Sequence, residues 1–184
     1  VALGDVCEIN PRLVRRERPA ADTTVGFVPM AAVCEDSGTI AKIEPRPYGS
    51  VSKGFTPFRP GDVLFAKITP CMQNGKSAVV GDMPSGLGFG STEFHVLRPS
   101  DRVLAELIHL WVRRRAFRDS AQLAFTGSAG QQRVPVDFIA QVKFPLPPLS
   151  EQRRIVEVMQ RAGGIVRLRQ EALVTARETI NDLF

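Results

Sequence analysis

Residues suited to catalysis are scarce in this chain. Its 184 residues include only two histidines, three cysteines and a single tryptophan, too little material for clustered metal ligands or a nucleophile–base–acid triad. The cysteines, Cys7, Cys34 and Cys71, are odd in number and form no Cys-x-x-Cys pair. That argues against a disulfide framework and a zinc site, and for a reducing cytoplasmic setting. No uncharged apolar run approaches the ~20 residues of a membrane-spanning helix, and the sequence opens on no signal peptide, so no membrane partner is expected. Low-complexity stretches and internal repeats are absent as well.

What remains is ordinary globular material, 43% hydrophobic and 23% charged. A chain of this length suits one domain with an appendage, and it buries enough surface to fold without a disulfide or a metal. The net charge is +5 and the pI is near 9.6, which makes nucleic acid the leading partner class. Residues 150–184 carry six basic and five acidic side chains, so the positive excess belongs to the first 149 residues.

Residues 1–100 read as short strands punctuated by turns. A strand is expected over 25–30. A Pro60-Gly61 turn feeds a second through Val63–Lys67, and Ser77–Val80 forms a third. In Thr92–Arg98, Phe94 and Val96 alternate with Glu93 and His95, the pattern of a half-buried strand. Gly86–Ser91 looks too glycine-rich for regular structure. From 102 to 121 the period changes: Val103, Leu107, Leu110 and Trp111 recur at helical spacing. Arg113, Arg114, Arg115 and Arg118 follow, where cations suit a helix C-terminus.

The proline-rich linker Phe144–Leu149 precedes the clearest element, a helix over 150–184 with Ser150 as its expected cap. Its heptad a positions are Met159, Val166, Leu173 and Ile180, and its d positions are Ile155, Ala162, Arg169, Ala176 and Leu183. Only Arg169 breaks the apolar stripe. A helix of roughly 34 residues would run about 50 Å, longer than one domain needs to cover its core, so the stripe calls for a partner helix. Gly163-Gly164 weakens it by about 1 kcal/mol per glycine relative to alanine.

Few motifs carry chemistry. Pro70-Cys71 matches the nucleophile dipeptide of cytosine-5 methyltransferases, but no Gly-x-Gly-x-x-Gly follows a strand and the chain is too short for a cofactor domain. Gly86, Gly88 and Gly90 lack the Gly-Lys-Ser/Thr of a phosphate loop. His95 and His109 stand alone, as structural residues do. Two polar loops survive this filter. Lys67–Lys76 presents Lys67, Thr69, Asn74 and Lys76 around a proline and a glycine. The second, Thr126–Arg133, presents Thr126, Ser128, Gln131, Gln132 and Arg133. Amide and guanidinium groups match base edges, whereas lysine, serine and threonine suit phosphates. Solvated turns whose polar groups satisfy the backbone are the competing interpretation.

Several segments in order resemble the DNA specificity (S) subunit of type I restriction–modification systems. They are Leu3–Val6, Phe58–Pro70, Gly88–Phe94, Thr126–Val134 and, most specifically, Pro145-Leu146-Pro147-Pro148-Leu149-Ser150-Glu151-Gln152 through Val156. The resemblance implies a target-recognition domain that reads one half of a split DNA site, followed by a spacer helix. A full subunit usually has two such units with antiparallel helices, and this chain carries one. The expected fold is therefore α+β: a mostly β DNA target-recognition domain over 1–149 with associated helices, then a long projecting coiled-coil helix over 150–184. The resemblance implies no catalysis and no cofactor in this chain. Its partners would be double-stranded DNA, modification (methyltransferase) subunits, a restriction subunit, and a second unit or homodimer through the helix. The alternative is a scaffold that assembles proteins through the helix and reads no base.

Overall fold

The computed structural model describes residues 1–128 and 130–182, with side chains through residue 179. The chain forms two compact units, Val1–Leu146 and Pro147–Phe184. Eight short strands lie in the first: β1 (Cys7–Ile9), β2 (Thr24–Val28), β3 (Glu44–Pro47), β4 (Thr56–Phe58), β5 (Val63–Ala66), β6 (Ser77–Val79), β7 (Gly88–Gly90) and β8 (Phe94–Pro99). The helices are α1 (Tyr48–Val51), α2 (Ala105–Arg113), α3 (Arg115–Leu123) and α4 (Val136–Gln141), and the second unit is α5 (Leu149–Asp182).

The strands form two sheets. One, ordered β1-β8-β5-β6, is antiparallel throughout. The other, ordered β3-β2-β7-β4, pairs β2 with β7 in parallel. Val28 and Phe58 of the second sheet pack with Leu64, Ala78, Phe94 and Val96 of the first in one buried cluster. Val25 and Phe27, at alternate positions of β2, serve a second cluster with Val51, Leu87 and Phe89. Helix α2 packs on β5 and β6, and Phe117 of α3 meets Phe65 of β5 edge-on at 5.6 Å. The chain returns to its start after α4: Leu3 donates to Val142 O at 3.0 Å and Phe144 to Val1 O at 2.9 Å.

An α+β architecture with a long C-terminal helix is what the sequence predicted, but five local expectations need correction. The glycine-rich segment holds β7, an interior strand of the second sheet. Glycine is required there because a Cβ on Gly88 would lie 2.2 Å from the Phe58 ring, and one on Gly90 would lie 2.6 Å from Val28 O. Strand β2 ends at Val28, and Met30–Ala32 turns as a 3₁₀ helix after Pro29. Strand β8 is buried on both faces from Phe94 to Leu97, because Asn10 and Val134 cover its outer side at His95. The helix expected over 102–121 breaks at Arg114, whose φ/ψ of −60°/135° is extended. Its guanidinium stacks over Trp111 at 4.4 Å. Finally, α5 begins one residue before Ser150. The Glu151 and Gln152 amides donate to Pro148 O at 2.9 and 3.0 Å, so Ser150 lies inside the helix.

Within α5, Gln152 and Val156 are buried and Ile155 is half-buried. Beyond them Met159, Val166 and Leu173 are 49%, 55% and 62% exposed, as are Val158, Ile165 and Leu168 at 57%, 57% and 62%. The apolar surface is thus wider than the a/d stripe alone. Ala162 and Ala176 are exposed too. The Ile180 side chain and Leu183 lie outside the described residues.

Candidate nucleic-acid interface

The two polar loops, fifty residues apart in sequence, lie side by side. Strand β5 runs directly into Lys67, whose amide donates to Glu93 O and whose carbonyl accepts from Val134 N, both at 2.9 Å. One step on, Ile68 bridges Arg133, and Thr69 N donates to Gln132 O at 3.0 Å. The second loop closes on itself as a small hairpin: Thr126 N donates to Arg133 O at 3.0 Å, and Arg133 N to Thr126 O at 2.9 Å. The ends of β5 and β8 therefore carry one composite polar surface.

Helices α2 and α3 support the first loop. Arg113 donates to Gly75 O at 3.1 Å and to the Glu35 and Asp36 carbonyls at 2.9 and 2.8 Å. Arg118 donates to Gln73 O. The break at Arg114 ends α2 just after Arg113 and starts α3 just before Arg118, and both cations reach one turn. Sequence reasoning assigned these arginines to the helix dipole and missed this role. Gly75, at φ +79°, lies under the Arg118 side chain, and Met72 is fully buried beneath the loop. Just after the loop, His109 donates from Nε2 to Ser77 O at 3.2 Å. Burial pushes its pKa down to about 4, and the neighbouring Arg113 charge adds to the shift.

The predicted side chains divide into free and committed groups. Gln131, Ser128 and Thr126 are exposed, the Thr126 hydroxyl donating to Arg133 O at 3.5 Å, and Gln132, Lys67 and Lys76 are half-buried. Asn74 is exposed but donates to Glu35 Oε2 at 3.2 Å, and the Thr69 hydroxyl donates to Gln73 Oε1. Arg133 is fully committed. Its Nε and Nη2 grip the Glu93 carboxylate at 2.9 and 2.8 Å, and its Nη1 donates to Gln131 O at 2.8 Å. That bond, with help from the Arg133 and Lys67 charges, holds the Glu93 carboxyl below its usual pKa. The sequence marks Glu93 only as a polar position of a strand; its partner in the structure is the arginine.

His95 ties this surface to the start of the chain. Its ring nitrogens lie 3.0 Å from Asn10 Nδ2 and 2.8 Å from Val134 O. A carbonyl can only accept, so Nε2 carries the proton and Nδ1 accepts from the amide. The ring is 3% exposed, and burial lowers its pKa. It is neutral and structural, as the sequence suggested.

Among the described residues, no group of three or more His, Cys, Asp or Glu side chains is placed to hold a metal, and no helix is long and apolar enough to cross a membrane. Residues 1–174 match the family described as the type I restriction modification DNA specificity domain. The chain is 37% identical over 152 residues to the EcoAI type I restriction enzyme specificity subunit of Escherichia coli, covering 82% of this chain and 25% of that protein. It is 36% identical over 157 residues to the EcoEI specificity subunit of the same organism, covering 85% and 26%. It thus spans about a quarter of these relatives. Among solved structures, the HsdS subunit from Thermoanaerobacter tengcongensis superposes with a TM-score of 0.68 at 27% identity, over 94% of this chain and 44% of that one. A chain from a study of complex assembly and conformational transition in a type I R-M system gives 0.72 at 27% identity, over the same shares. With matched order, fold and helix, the chain belongs to the type I restriction–modification DNA specificity domain family.

Proposed function

We propose that this chain is a sequence-specific DNA recognition unit of a type I restriction–modification complex, residues 1–149 reading one half of a bipartite site. The observation that carries this reading is the joining of two distant polar loops into one surface. On it, Gln131, Gln132 and Asn74 offer paired donors and acceptors to base edges. Lys67, Lys76 and Ser128 suit phosphates, whereas the Thr69 and Thr126 hydroxyls already donate to Gln73 and Arg133. Arg133, already gripped by Glu93, sets the position of Gln131 and Gln132 rather than reading a base. Helix α5 presents its exposed apolar face to a second unit's helix, either of another copy or of a longer subunit, which spaces the half-sites. The chain transfers no methyl group and cuts no strand; modification and restriction subunits docked on it do both.

Mapping genome methylation with and without the intact complex yields the target. Titration of matched and scrambled duplexes with the complex then tests recognition. Tight binding to the matched duplex alone is expected, and equal affinity for both ends the proposal. The exposed face of α5 also favours a scaffold that assembles proteins without touching DNA. That scaffold would assemble the subunits normally and bind neither duplex.

A further inference from the structure

A second basic surface lies outside the loop pair. The segment Arg12–Arg18 packs four arginines into seven residues, Arg12, Arg15, Arg16 and Arg18. With α1 and the start of β4 it encloses a cleft of about 500 Å³. Arg12, Arg18 and Lys53 line the cleft, all three exposed and without an ion pair among the described residues. Tyr48, Phe55 and Phe89 also line it, and their rings are fixed: Phe55 meets Phe27 edge-on at 4.9 Å and Tyr48 lies 5.8 Å from Phe89. No carboxylate is among the lining residues. Four other arginines of the same unit, Arg46, Arg59, Arg98 and Arg133, are by contrast paired with Glu44, Glu17, Asp62 and Glu93.

We propose that this cleft seats the DNA phosphodiester backbone flanking the bases read by the loop pair, with Arg12, Arg18 and Lys53 as the phosphate contacts. Cations left unpaired over an apolar floor attract anions more strongly than the same cations in open water, because the floor lowers the local dielectric. Tyr48 and Phe55 provide flat surfaces for the sugar edges between phosphates. Position supports the same occupant. Asn10 lines the cleft and donates to His95, whose other nitrogen holds Val134 at the end of the second loop. One imidazole ring therefore separates the rim of the cleft from the base of the recognition surface. Asn10 keeps that link rigid: at φ 54°, its amide donates to Val96 O at 2.7 Å and its Oδ1 accepts from Val96 N at 3.0 Å. Backbone contacts of this kind fix register and orientation without adding sequence information. The assignment rests on the DNA-recognition reading above and extends it to residues outside the two loops.

The test is the salt dependence of binding to a fluorescent duplex of arbitrary sequence, since phosphate contacts are blind to sequence. The full chain is compared with the triple variant Arg12→Gln, Arg18→Gln, Lys53→Gln. Each released phosphate contact contributes about 0.9 to the slope of log affinity against log salt, so the triple variant should lose about 2.7. Between 50 and 200 mM salt the wild-type affinity should therefore fall about 40-fold further than the variant's. Arg12→Lys with Arg18→Lys should keep the wild-type slope, and Lys42→Gln with Lys143→Gln, exposed cations outside the cleft, should barely alter it. Thermal melts confirm folding, which exposed polar substitutions leave intact. An unchanged slope in the triple variant, with a lowered one in Lys67→Gln plus Lys76→Gln, overturns the cleft and leaves the loops standing. Equal losses per charge in the cleft and control variants overturn it too, as bulk charge. Failure of the wild-type chain to bind any duplex at low salt removes both readings.

Discussion

Acidification should loosen the support of the first loop through one buried group. His109 is neutral at pH 7, donates to Ser77 O and shares α2 with Arg113, which holds Gly75 O. Its folded pKa is about 4, against an ordinary 6.5. The unfolded chain therefore takes up a proton at a pH where the folded chain does not. The stabilisation is complete above pH 6.5 and drains away as the pH falls towards 4. A shift of 2.5 units corresponds to about 3 kcal/mol when fully expressed, and about 2 kcal/mol of it is lost between pH 7 and pH 5. In a domain of this size that is a fall of roughly 4–8 °C in melting temperature. His95 and Glu93 also titrate with lowered pKa values, so the wild-type melt alone does not isolate His109. Comparison with His109→Gln does, because the other groups are common to both proteins. Denaturant unfolding at pH 7 and 5 should show the wild type losing about 2 kcal/mol more than the variant. Parallel losses in the two proteins would refute the assignment of a buried, neutral His109.

Three further outcomes follow from the geometry. Arg133→Ala and Glu93→Ala should each lower the melting temperature, the double variant should lower it no further than the worse single one, and this shared loss should shrink as the pH falls below the ordinary carboxylate pKa and vanish only below the lowered pKa of Glu93 itself, where the protonated carboxyl no longer holds the arginine. An Arg133→Ala protein that melts like the wild type and loses only base discrimination would make Arg133 a reader instead. Gly88→Ala should destabilise by about 1–3 kcal/mol in chemical denaturation, because its Cβ would lie 2.2 Å from the fully buried Phe58 ring. Val166→Asp with Leu173→Asp should abolish association through α5 while the Val1–Leu146 unit melts unchanged, and a monomeric wild-type chain in sedimentation at tens of micromolar would count against self-pairing.

Local patterns carried much of this protein. Strand periodicity placed β2, β5, β6 and β8 within a residue or two, and the heptad stripe placed α5, because neighbouring residues settle which face an element can bury. The polar loops were legible as candidate contacts from their residue types alone. Several features were not legible, since each depends on a residue far away in the chain. Gly88-Phe89-Gly90 looks like a loop until Phe58 and Val28 lie against it and make glycine obligatory in a strand. Arg133 looks like a free base reader until Glu93, forty residues earlier, takes both ends of its guanidinium. Arg113 and Arg118 look like dipole cations until the turn at 73–75 comes within their reach. The cleft beneath Arg12, Arg18 and Lys53 exists only once residues 10–18 cross α1 and β4. By itself, then, the sequence determined the class of fold, the long helix and the chemical character of the loops, all consequences of short-range spacing and composition. Which of those polar groups are free and which are bound, and which loops share a surface, was decided by tertiary contacts, because pairing of charges and close approach of backbones join positions that no local pattern connects.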